Sequence, residues 1–157
     1  MAFGSNVTFS KDNTIGAFLN GDYLTGGTYL TRDQANMIED NTTWYLGTVG
    51  EANYKLAKYQ DATGSNLTKS TTTAKIGLLR LGELMAGQFD KNGNNTDYWT
   101  LTPYSTSDVR YVSSYGSVYS SSPANSHGSR PSMNLKSTVK IVSGTGTKSS
   151  PFVLSVN

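Results

Sequence analysis

The chain has 157 residues, 36% of them hydrophobic and 15% charged, and a formal net charge of +2. That length suits one domain able to bury a core without metal or disulfide support. The absence of cysteine excludes thiol catalysis, thiolate metal sites and disulfides. The thirteen basic residues are scattered among eleven acidic ones, without the basic run that a nucleic-acid partner would call for.

The shortfall in apolar and charged residues is filled by Ser, Thr, Asn, Gly and Tyr, a composition suited to strands and turns. No stretch is long and apolar enough for a membrane-spanning helix. Residues 1–10 lack the charged and apolar regions of a signal peptide. Export or membrane anchoring is therefore expected to depend on a segment that these residues do not include.

In chain order, Thr14 to Asn20 reads as a short apolar helix ending before Gly21. Thr31 to Asp40 reads as a second helix, with Thr31 as N-cap, Gln34 completing a capping box, and Ala35 and Ile38 on one face. Trp44 to Val49 is expected to be a strand, with a weak helical signal over 50–59. Residues 60–73 are polar and lack an apolar period, which predicts a loop. Ile76 to Leu79 is a short apolar run, and Glu83 to Ala86 a brief helix before Gly87. Residues 90–97 form another polar loop.

Beyond it, Tyr98 to Thr102 is expected to be a strand with Trp99 and Leu101 on one side and Tyr98, Thr100 and Thr102 on the other. Val109–Ser113 and Ser117–Ser121 form a hairpin closed by Ser114, Tyr115 and Gly116, with Gly116 in the left-handed conformation. That register sets Val112 against Val118 on one face and Tyr111 against Tyr119 on the other. Strands over Ser132–Leu135, Val139–Val142 and Phe152–Leu154 follow, the last two joined by a turn-rich connection at 143–151. The expected class is α+β, with early helices and a late twisted antiparallel sheet in one domain spanning 1–157. Trp99, Leu101, Met133 and Leu135 are the expected core residues.

Catalytic chemistry has little to work with. His127 is the one histidine, so a Ser-His-acid site would have to use it, and an exposed loop histidine is the plainer expectation. No nucleophile elbow, zincin, phosphate-loop or dinucleotide motif occurs. Of the three glutamates, Glu39, Glu51 and Glu83, the last two flank apolar runs and read as caps or ion-pair partners. A carboxylate pair acting on sugars stays open, because its spacing is spatial. Asp90, Asn92, Asn94 and Asp97 resemble calcium-loop ligands, but Asn95 and Leu101 stand where that loop requires Gly and Glu, so a solvated turn is expected. No metal, no cofactor and no enzymatic activity are expected.

The segment 104–127 is the informative one, with nine serines and four tyrosines among its 24 residues. Tyrosine offers a large rigid contact area with a hydroxyl at its tip, and Ser, Asn and Gly offer adaptable hydrogen bonding, as in antibody-type loops. An ordinary exposed hairpin would use the same residues, so composition leaves both readings open.

Residues 76–89 (IGLLRLGELMAGQF), 98–103 (YWTLTP), 109–118 (VRYVSSYGSV) and 128–154 resemble a family of bacterial surface and pilin-like proteins. Residues 17–24 and 30–38 resemble that family's helices more weakly. The resemblance implies a C-type lectin-like fold, in the branch shared with formylglycine-generating enzymes and the variable proteins of diversity-generating retroelements. Those variable proteins display diversified residues just before an Arg-Pro strand, here Arg130-Pro131. The resemblance thereby implies a ligand face of Tyr104, Ser105, Ser107, Asp108, Arg110, Tyr111, Ser113, Tyr115, Ser117, Tyr119 and Asn125, with His127 closing the segment. Lack of cysteine removes the copper chemistry of the enzymes, and the motifs of calcium-dependent sugar binding are absent. The function expected from this likeness is a non-enzymatic, adhesin-like binding domain on the bacterial surface or in the extracellular space, whose ligand is a protein or glycan on another cell or surface. A receptor-binding or tail-tip protein of a phage particle and a cell-wall-sugar enzyme are the competing expectations.

Overall fold

A computed structural model describes residues 1–49, 70–86 and 96–156. Three short helices come first: α1 (Thr14–Asn20), α2 (Asp22–Thr25) and α3 (Arg32–Asn36). Helix α1 begins where the Asn13 side chain accepts a hydrogen bond from the Gly16 amide, and its span is the one the sequence predicts. Helix α3 carries the expected capping box between Thr31 and Gln34 but stops after one turn. Ile38, predicted to be helical, instead bridges Leu135 in an extended pairing, and the side chain is buried.

The strands are β1 (Thr42–Tyr45), β2 (Thr71–Ala74), β3 (Ile76–Leu78), β4 (Tyr98–Pro103), β5 (Val109–Val112), β6 (Val118–Ser121), β7 (Pro131–Met133), β8 (Val139–Ser143) and β9 (Val153–Val156). Helix α4 (Leu81–Ala86) lies between β3 and β4 and starts two residues before the predicted turn. Among the described residues all strand pairs are antiparallel: β1 with β2, β3 with β7, β8 with β9, and a three-stranded sheet in the order β4-β5-β6. The coarse expectation of a mixed α+β chain with a strand-rich second half is thus met. Residues 71–73, read from sequence as loop, pair with β1, since a threonine run suits an extended, half-exposed ladder even without an apolar period. The strand expected over Trp44–Val49 runs instead over Thr42–Tyr45. The helical signal over 50–59 and most of the 90–97 loop fall outside the described residues.

The main core gathers Phe3, Phe9, Ile15, Leu19, Ile38, Trp44, Ile76, Leu78, Trp99, Leu101 and Val109. The Asn20 side chain at the end of α1 bonds both backbone groups of Ile76, donating to its carbonyl at 2.9 Å and accepting from its amide at 3.0 Å. Gly77 is needed in β3 because a Cβ there would stand 2.7 Å from the Trp44 ring.

Strand β4 is buried along its whole length. Trp99 and Leu101 face the main core as expected, but the polar side is not solvent-facing. Tyr98 packs with Leu84 of α4 and Val112. The Thr100 hydroxyl donates to the Arg110 carbonyl at 2.8 Å, and the Thr102 hydroxyl accepts from the Leu81 amide at 2.9 Å. The Thr100 and Thr102 hydroxyls are thus bonded, whereas the Tyr98 hydroxyl is buried without a hydrogen-bond partner among the described residues. Two of the four expected core residues need correction. Met133 is only half-buried against the core, and Leu135 is 44% exposed. The β3–β7 ladder ends at Met133, and Leu135 lies beyond it, at the Ile38 bridge.

Candidate functional site

The segment 104–127 is built on β5 and β6. Their register is the one expected, with Val112 opposite Val118 and Tyr111 opposite Tyr119. The turn closes as expected too: Gly116 has φ +81°, and the Ser113 amide donates to the Ser117 carbonyl at 2.8 Å. The Asp97 carboxylate accepts from the Ser114 amide at 2.9 Å and ties the turn to the residue preceding β4.

Because directly opposed residues share a face, Trp99, Tyr111 and Tyr119 form an aromatic row across the sheet. Trp99 meets Tyr111 edge-on at 6.2 Å, and Tyr111 lies 6.0 Å from Tyr119. Exposure rises along the row, from buried Trp99 through half-buried Tyr111 to Tyr119 at 52%. The His127 ring stacks on Tyr111 at 4.3 Å and meets Trp99 edge-on at 4.4 Å. His127 is therefore half-buried, not the exposed loop residue expected. Burial pushes its pKa below the ordinary imidazole value, against a smaller opposing pull from Asp97, whose carboxylate lies 3.6 Å from Nδ1. Its Nε2 is enclosed without a hydrogen-bond partner among the described residues. Burial likewise raises the Tyr111 phenol, with Asp97 and Tyr119 adding to the shift.

The twelve residues of the expected ligand face do not share one face. Arg110 alternates away from Tyr111 and is 4% exposed, with Nε donating to the Val49 carbonyl at 3.2 Å and the guanidinium 4.4 Å from the Tyr104 ring. Tyr104 and Arg110 thus sit on the other side of the sheet from Tyr111 and Tyr119. Ser113 is buried and accepts from the Ser117 amide. Ser105, Ser107 and Asp108 bond one another within their own turn, the Ser107 hydroxyl donating to the Asp108 carboxylate at 2.9 Å. Tyr115, 82% exposed, Ser117, Tyr119 and Asn125 remain open to solvent, as does Ser107 on the separate turn before β5. The expectation of a largely exposed segment is therefore corrected to an exposed subset: Ser107 before β5, Tyr115 and Ser117 at the hairpin turn, Tyr119 on β6 and Asn125 beyond it. The physical reason is that β5 is the central strand of its sheet and is covered on both faces.

Trp99 and Asp97, which support this surface, were not among the expected site residues. Trp99 was read only as core and Asp97 only as a possible calcium ligand. Asp90, Asn92 and Asn94 lie outside the described residues, and no cluster of metal-binding side chains occurs among the described ones.

No curated protein and no solved structure is detectably similar to the chain. One family model matches, over residues 5–137, and it therefore contains the helices, the core apart from Phe3, and the whole 104–127 segment. The chain belongs to the family of domains of unknown function DUF6273.

Proposed function

We propose that the chain is a non-enzymatic, adhesin-like binding domain of C-type lectin-like fold, displayed on a bacterial surface. Its binding surface is formed by the exposed residues around the β5–β6 hairpin, Tyr115, Ser117, Tyr119 and Asn125, flanked by Tyr111. Its ligand is a protein or glycan on another cell or surface, and the exposed positions are the ones open to retroelement diversification. The observation that carries this reading is the division of labour along the hairpin. Buried Val109, Arg110, Val112 and Ser113 hold the sheet, while two tyrosines stand more than half exposed on the turn and outer strand. Exposed aromatic side chains on a rigid ladder present contact area at low entropic cost. The enclosed Nε2 of His127, where a nucleophile would have to deliver its proton, favours binding over general-base catalysis.

The experiment is a screen of the labelled domain and of its Tyr115→Ser/Tyr119→Ser variant against arrayed glycans and bacterial or host surface proteins. The proposal expects at least one ligand that the parent retains and the variant loses. Equal retention by both proteins places the binding surface elsewhere.

A further inference from the structure

Among the described residues, strand β9 has β8 on one side only. Outside that ladder, no backbone hydrogen bond joins residues 153–156 to the rest of the described residues. A groove of about 430 Å³ runs beside it, between the end of α3 and the strand, lined by Asp33, Asn36, Met37, Leu154, Ser155 and Val156. The hairpin that forms its wall lies beyond residue 137, where the family match ends.

A two-stranded hairpin is marginal in water and gains from a third strand. This one is also unusually apolar. Ile141, Val142, Phe152, Val153 and Val156 each leave about half of their surface in solvent. Exposed apolar side chains grouped in this way mark interaction surfaces. The cross-strand pairs Val139–Val156 and Ile141–Leu154 place four aliphatic side chains on one face, whereas Lys140 opposes Ser155 on the other. From Leu154 and Val156 the groove runs to Met37, and Asp33 is its one charged residue. Asp33 has no ion pair among the described residues.

From the free strand edge, the apolar wall and the lone carboxylate, we infer that this groove binds an extended peptide as an added β-strand next to β9. The peptide carries apolar side chains at alternate positions, which settle on Met37, Leu154 and Val156, and a cationic residue opposite Asp33. Main-chain hydrogen bonds along the strand edge supply affinity, and the alternate pockets and the carboxylate supply selectivity. The groove shares no residue with the Tyr/Ser-rich surface, so this activity is separate from the ligand binding proposed above.

The probe is a fluorescein-labelled hexapeptide of alternating valine and threonine that begins with lysine, read by fluorescence anisotropy. Three controls accompany it: the same peptide N-methylated at alternate backbone nitrogens, a version beginning with aspartate, and the Asp33→Lys variant of the full chain. The lysine peptide is expected to bind and shift the amide resonances of Met37 and Leu154–Val156, and N-methylation to abolish binding. Asp33→Lys is expected to weaken the lysine peptide at least fivefold and strengthen the aspartate peptide. Absence of binding at millimolar peptide, undiminished binding of the N-methylated peptide, or shifts confined to other residues would overturn the inference. Self-association of the chain alone through the same amides would overturn it as well, by making a second copy the occupant.

Discussion

Replacing Trp99 by alanine tests whether the row beneath the proposed surface is anchored as described. Trp99 is 1% exposed. Its ring meets Phe3 edge-on at 5.7 Å, and its Nε1 donates to the Met1 carbonyl at 3.2 Å, in addition to the contacts with Tyr111 and His127. Truncation removes a large buried ring and leaves a cavity between β4 and the N-terminal residues, which costs ~3–5 kcal/mol. For a domain of this size each kcal/mol corresponds to about 2–4 °C in Tm, so a fall of roughly 6–20 °C is expected. Urea titration followed by circular dichroism gives the free energy, and a thermal melt gives Tm. Tyr119→Ser is the internal comparison. Its ring is half exposed at the sheet edge, so it is expected to cost less than about 1 kcal/mol. The reasoning fails if Trp99→Ala melts within 2 °C of the parent, or if Tyr119→Ser costs as much.

Tyr111→Ser is expected to cost about 1–3 kcal/mol by urea titration, because the ring stacks on His127 and packs against the core; a cost near zero would return Tyr111 to the freely exposed set. His127 has a lowered pKa in the folded chain, so the unfolded chain takes up the proton first as pH falls. Stability is therefore expected to decline from about pH 6.5 down to the folded-state pKa and then to level off as far as this group is concerned. His127→Phe should flatten that slope in melts between pH 7.5 and 5, and an unchanged slope would assign it to other groups. Adding a chelator is expected to leave Tm unchanged, and a large fall would promote Asp97 to a metal ligand.

Local signals in the sequence were legible and global ones were not. The bounds of α1 follow from its short apolar run and Gly21, and the capping box of Thr31 and Gln34 is met atom for atom. The β5–β6 register follows from alternation plus one glycine. Burial of Arg110, Thr100 and Thr102 was invisible because it depends on α4 and Val49 covering the back of the sheet, which no local pattern encodes. The same cover splits the expected ligand face in two. The early end of α3 was hidden as well, since Ile38 fits a helical apolar stripe as well as the bridge to Leu135 that it makes.

The central claim is that Tyr115 and Tyr119 are surface contacts and not supports. Calorimetric titration of Tyr115→Ser/Tyr119→Ser against a ligand found for the parent, with melts run on both proteins, tests it most directly. Two tyrosine hot spots of about 2 kcal/mol each predict a Kd at least a hundredfold weaker, with Tm within ~3 °C of the parent. A Kd within threefold of the parent, or a variant that no longer folds, would contradict the account.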